Sequence, residues 1–187
     1  MAADGLFYND LREPFIAADI APVTLATTDK ALYPQSNFPV LGGQYFSRVG
    51  KKLRIRLFGK MTTGITPGNG TVDVYYGTGA DANGTILASS AATALVASAT
   101  NLSWWMEIFV HCRSIGSAGT LFCTGKLDMN LGLVLSTAQP ILIPASAAVV
   151  SGAVDLTAAN IISVQYKRSG STAEAMTVQD MEVVAMN

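Results

Sequence analysis

Two stretches near the middle of the chain alternate apolar and polar residues with a strict period of two. In residues 102–113, Leu102, Trp104, Met106, Ile108, Val110 and Cys112 fall on one side. In residues 121–129, Leu121, Cys123, Gly125, Leu127 and Met129 do the same. Successive side chains of a strand point to opposite faces, so each stretch predicts a strand buried on one face only. Gly116-Ser-Ala-Gly119 supplies the turn between them, and the pair reads as a hairpin. A symmetric turn sets Cys112 opposite Cys123, Val110 opposite Gly125 and Ile108 opposite Leu127. The two core-facing sides then coincide, as a stable register requires.

The same grammar recurs through the body. Residues 52–61 place Leu53, Ile55 and Leu57 on one face and Lys52, Arg54, Arg56 and Lys60 on the other. Residues 71–76 carry Val72, Val74 and Tyr76 in phase, and 85–89 form a shorter strand. Thr66-Pro-Gly-Asn-Gly70 and Asp81-Ala-Asn-Gly84 are turns, because Gly and Asn tolerate positive φ. Residues 161–168 and 176–186 are clear strands; the latter changes phase at Gln179-Asp180, which predicts a bulge. Weaker strands fall at 131–135, 141–143 and 149–156. The Ala-rich residues 88–100 are too rich in Ser and Thr for a helix and read as loop. About eight strands with no helix predict an all-β, jelly-roll-type antiparallel β-sandwich spanning residues 44–187.

Residues 1–43 follow neither period. They hold Pro14, Pro22, Pro34 and Pro39, four of the seven prolines. The expectation is an extended N-terminal arm with one short strand at 23–27. Phe7, Phe15, Ile16, Leu32 and Phe38 are its candidate anchors on a neighbouring protein; the arm could equally fold back along its own domain.

Charged residues make up 13% of the chain and hydrophobic ones 50%, which excludes a disordered chain. The net charge of −1 gives no bulk field for nucleic acid or an anionic membrane. Residues 129–154 carry no charge, but Pro140 and Pro144 interrupt them, so no spanning helix is expected. So few charges fit a surface covered by other subunits. The first residues lack a basic start followed by an apolar block, so no secretory signal is expected. A reducing site of synthesis then favours buried free thiols at Cys112 and Cys123, although an opposed pair could also form a disulfide.

Catalytic chemistry finds little material. His111 is the one histidine, on an outward position, and no GxSxG elbow accompanies it. One His and two inward Cys fall short of a zinc site. Gly77-Thr-Gly-Ala-Asp-Ala82 resembles a dinucleotide loop, but Asn83-Gly84 stops the helix such a loop must open. No enzyme, metal or cofactor is expected. The outward side of the hairpin is more informative. Trp105, Phe109 and Phe122 point away from the core, which marks a candidate subunit interface. Glu107 opposite Asp128 is unfavourable unless Lys126 or a cation relieves it. The row Lys52, Arg54, Arg56 and Lys60 either pairs with Asp180 and Glu182 on a neighbouring last strand or docks on an acidic protein surface.

Residues 31–43, Ala-Leu-Tyr-Pro-Gln-Ser-Asn-Phe-Pro-Val-Leu-Gly-Gly, and 50–59, Gly-Lys-Lys-Leu-Arg-Ile-Arg-Leu-Phe-Gly, resemble small virion proteins of tailed bacteriophages. Asp73-Val-Tyr-Tyr-Gly-Thr-Gly-Ala-Asp-Ala-Asn-Gly-Thr-Ile-Leu87 resembles them too. So do Asp155-Leu-Thr-Ala-Ala-Asn-Ile-Ile162 and Lys167-Arg-Ser-Gly-Ser171. The resemblance covers roughly residues 30–187. It implies a jelly-roll capsid decoration or cement protein, a homotrimer on the head surface that contacts the major capsid protein through its arm. It places the chain in the virion, after synthesis in the host cytoplasm. The alternative reading, a binding module, is a tail or fibre protein that recognises a host glycan through loop-tip residues such as Tyr75, Asp81 and Asn83.

Overall fold

Strand pairing in this chain follows the alternation read above. A computed structural model describes residues 23–24, 26–43, 45–79, 81, 83–135 and 140–186. Eleven strands are found among them: β1 (Val23–Thr24), β2 (Lys30–Ala31), β3 (Lys52–Thr62), β4 (Asn69–Gly77), β5 (Thr85–Ser89), β6 (Thr93–Ala94), β7 (Leu102–Ser114), β8 (Thr120–Met129), β9 (Ile141–Ile143), β10 (Ile161–Arg168) and β11 (Ala175–Met186). A single 3-10 turn, Gln35–Asn37, is the only helical element among the described residues. The larger sheet runs β1-β11-β3-β7-β8-β9; the smaller runs β2-β10-β4-β5, with β6 also on β4. Every pairing between these strands is antiparallel. The fold is an antiparallel β-sandwich of jelly-roll type.

The inner faces meet as the period of two demands. Leu53, Ile55 and Leu57 of β3, Met106, Ile108 and Val110 of β7, and Met181 and Val183 of β11 are fully buried from one side. Val72 and Val74 of β4 and Ile162, Val164 and Tyr166 of β10 close the core from the other. Burying side chains of this size stabilises by about 1.5–3 kcal/mol each, gross, and this layer holds the two sheets together.

The hairpin register differs from the symmetric expectation. Cys112 pairs with Leu121, Val110 with Cys123, and Ile108 with Gly125. A register shift lies between Cys112 and Ser114, and Ser114 pairs with Thr120 across a loop of 115–119. The loop is centred earlier than assumed and the irregularity adds to it, so the strands slip by two residues. A two-residue slip keeps every side chain on its expected face, so the inner-face residues agree with the alternation and only their partners differ. The bulge on the last strand falls between Val178 and Asp180, at the expected phase change. Residues 131–135 and 149–156 are not strands. They form isolated bridges at Val134, Val150 and Val154 and backbone bonds such as Leu135 N–H to Ala94 C=O and Ser151 N–H to Leu121 C=O.

The boundary at residue 43 is also corrected. β2 pairs with β10, and Leu32 N–H donates to Val164 C=O at 3.0 Å. Tyr33 Oη donates to Ile162 C=O at 2.8 Å and accepts Val164 N–H at 3.1 Å. Leu32, Tyr33, Phe38 and Leu41 are buried in the common core. Leu32 and Phe38 are therefore core residues, not docking anchors. Their spacing is aperiodic because coil and a 3-10 turn, not a strand, carry them across the sandwich. The short strand expected at 23–27 is β1, two residues paired with Met176 and Ala175. Phe7, Phe15 and Ile16 lie outside the described residues.

Candidate functional site

Side chains that β3, β7, β8 and β11 turn away from the core form one outer face, and the register arranges them in rows. One row reads Asp180, Phe58, Trp105, Asp128 from β11 to β8. The next reads Glu182, Arg56, Glu107, Lys126, and continues to Leu142 on β9. Beyond it come Val184, Arg54, Phe109 and Thr124, then Met186, Lys52, His111 and Phe122.

Charges on this face largely satisfy one another. Arg56 Nε donates to Glu107 Oε1 at 2.6 Å, and Arg54 Nη2 lies 3.3 Å from Glu182. Arg56 also reaches Glu182 at 3.7 Å. Two of the four cations in the basic row are thus neutralised by acids of adjacent strands, which is the pairing alternative. The row is not a free stripe for an acidic surface. Asp180, the other acid offered as a partner, stands opposite Phe58 instead. Lys126, not Asp128, faces Glu107, so the like-charge opposition does not arise. Lys126 Nζ lies 3.6 Å from Asp128 and 4.4 Å above the Trp105 ring.

Aromatic residues on the face divide into two groups. Phe58 and Trp105 stack with ring centroids 6.2 Å apart at 16°. At the other end, Phe122 meets His111 edge to face at 6.1 Å and takes the Arg113 guanidinium at 4.5 Å. Trp105, Phe109 and Phe122 are all half-buried and outward, as the alternation requires. Leu142 and Val150, on the chain that borders β8, are 60% and 49% exposed. Neither was singled out from the sequence, because neither belongs to a long alternating run. His111 is held below its usual imidazole range by partial burial and by Lys52 and Arg113, all of which disfavour its charged form.

A second polar cluster sits on the smaller sheet, and sequence reasoning missed it. Asp73 of β4 is buried and receives Ser89 Oγ and Lys167 Nζ. Asp29 accepts the Tyr75 hydroxyl at 2.8 Å. Lys30 and the Ala31 N–H bind Asp81 at 2.6 and 2.8 Å. These bonds hold the segment around β2 against the sheet. They also engage Tyr75 and Asp81, and Asn83 bonds Thr78. Tyr75 is buried, so the loop-tip glycan site expected from these three residues is not formed.

Cys112 and Cys123 are buried free thiols, and burial pushes Cys123 up to about 12. Among the described residues no three His, Cys, Asp or Glu side chains converge as a metal site. Nor is any helix there long and apolar enough to cross a membrane.

No protein-family model matches the chain, and no curated protein matches it in sequence. Among solved structures it is similar to a legume lectin-like domain from Entamoeba histolytica. That similarity has 8% identity and a TM-score of 0.31, over 98% of this chain and 94% of that one. The fold assignment therefore rests on the strand pairing described above.

Proposed function

We propose that this chain is a structural virion protein, a capsid decoration or cement protein that adheres to the phage head as a homotrimer. The supporting observation is the outer face of the larger sheet. Its charges are largely paired within the chain, while Phe109, Phe122, Leu142 and Val150 leave apolar area for a partner to cover. Burial of such area yields about 25 cal/mol per Å², gross, against the ordering cost of association. Many copies on a lattice then add avidity. In this reading Phe122 and Phe109 lie in the subunit contact, and residues 1–22, with Phe7, Phe15 and Ile16, reach the major capsid protein. The resemblance to small virion proteins supports the same role.

Light scattering of the free protein tests the oligomer, and co-sedimentation with undecorated heads tests the partner. A trimer that saturates heads is expected, with Phe122→Ala and Leu142→Ser each weakening it. A stable monomer at micromolar concentration that leaves heads bare would overturn the reading.

A further inference from the structure

We propose that the cleft at the Phe58 end of the outer face binds a neutral pyranose sugar. The cleft holds about 380 Å³, within the size range of small-molecule sites. Phe58, Ser103, Trp105, Asp128 and Asn130 line it. They come together because the first residues of β7 pair both with the second half of β3 and with the last residues of β8. Phe58 is 42% exposed, and its ring is steadied against Trp105.

The lining carries the chemistry of one ligand class. A pyranose has a C–H face, slightly positive, that packs on the negative face of an aromatic ring. Its edge carries vicinal hydroxyls that need an acceptor and a donor side by side. Asp128 supplies the acceptor. Asn130 Oδ1 accepts the Gly132 N–H at 2.8 Å, which orients the amide and leaves Nδ2 as the donor. The Ser103 hydroxyl serves as either. Other classes fit less well. A wholly apolar partner would strip water from Asp128 and Asn130 without replacing it, which is unfavourable. A phosphate or acidic sugar would meet the carboxylates of Asp128 and Asp180 at the two ends of the aromatic row, and the nearby Lys126 is already engaged by Asp128 and the Trp105 ring.

This site stands on its own observation. Trp105 and His111 are six residues apart on β7, so the cleft lies about 20 Å from the Phe122 end. A subunit contact that runs from Phe122 to Leu142 ends one row short of Asp128 and leaves the Phe58 side of the cleft open.

Saturation-transfer NMR on the intact protein provides the test, with methyl glycosides of glucose, galactose, mannose and N-acetylglucosamine as probes and N-acetylneuraminic acid as an anionic control. At least one neutral glycoside is expected to take up saturation on its C–H face, and the anionic sugar none. Phe58→Ala and Asp128→Ala are each expected to weaken binding about tenfold or more, equivalent to about 1.4 kcal/mol. Phe122→Ala should leave sugar binding unchanged while weakening head binding, so the two readings fail separately. No saturation in any neutral glycoside, or binding that survives both cleft substitutions, would overturn the proposal.

Discussion

Asp29 and Asp73 stand against the same ammonium: Lys167 Nζ is 2.6 Å from Asp73 Oδ2 and 3.6 Å from Asp29 Oδ2. One cation stands against two buried carboxylates, and this arrangement favours retention of a proton by one of them. Burial first, and then the hydrogen bond to Asp73, raises Asp29 above the usual carboxylate range. Burial opposes ionisation of Asp73 as well, but Lys167 and Ser89 outweigh it and hold Asp73 below that range. Of the two, Asp29 is therefore the one that more readily keeps a proton. Its Oδ1 is buried with no hydrogen-bond partner, an uncompensated acceptor that disfavours the charged form.

The sign of the pH dependence follows. A raised Asp29 contributes stability that is present at low pH and lost as pH rises through its raised value. A lowered Asp73 contributes stability that is present above the usual range and lost as pH falls through its lowered value. Urea unfolding across pH should therefore show a maximum between the two. Asp29→Asn, neutral at every pH, should abolish the loss on the alkaline side. Parallel curves for the two proteins would contradict the upward shift of Asp29. Asp73→Asn removes the negative charge that pairs with Lys167 and should cost about 1–3 kcal/mol at neutral pH.

A further expectation concerns the thiols. Cys112 and Cys123 share the inner face but lie diagonally, since Cys112 pairs with Leu121 and Cys123 with Val110. Diagonal neighbours are about 7–8 Å apart. A disulfide needs Cβ atoms about 3.5–4.5 Å apart. Oxidant should leave both thiols free in the folded protein, and a thiol reagent should label them only at the rate of unfolding. A disulfide formed under native conditions would show that the register is wrong.

The two-residue slip illustrates what a sequence can carry. Alternation assigns a face to each residue of β3, β4, β7, β8, β10 and β11, because the face depends only on parity. It does not assign a partner, because the partner depends on the 115–119 loop and the irregularity at Arg113, whose residues have no periodic signal. The outer face was visible through Trp105, Phe109 and Phe122 for the same reason of parity. Phe58 escaped notice because the basic residues around it dominate the outer side of β3. Asp29 and Asp73 were invisible as a pair: they are 44 positions apart, and only the β4–β10 pairing and the covering segment bring them to Lys167.

Close approach of three strands makes Gly59 another test. A Cβ at this position would run into the Thr177 carbonyl on β11 and stand 2.8 Å from the Trp104 indole on β7. The carbonyl belongs to a paired strand and cannot move without breaking the ladder. Gly59→Ala should cost about 1–3 kcal/mol by overpacking. Gly152, with open space where its Cβ would be, is the control and should tolerate Ala with little change in melting temperature. Equal melting temperatures for the two variants would show that β3 and β11 can separate.

The last prediction concerns the N-terminal part of the body. Leu32, Tyr33, Phe38 and Leu41 fill the space between the sheets from outside the regular strands. Tyr33 also satisfies both the Ile162 carbonyl and the Val164 N–H through one hydroxyl, and burial holds that hydroxyl far above its usual range. Removing the segment would open a cavity beneath β10 and leave those backbone groups without their partner. Each apolar side chain lost in this way typically costs about 2–5 kcal/mol, and a whole domain has only about 5–15 kcal/mol in hand. A chain beginning at Gly42 is therefore expected not to fold, whereas Leu32→Ala alone should fold with its urea midpoint lowered. Circular dichroism of both, with urea titration of the point variant, checks this. A cooperative transition in the truncated protein would show that the core closes without residues 26–41 and would return the domain boundary to residue 43.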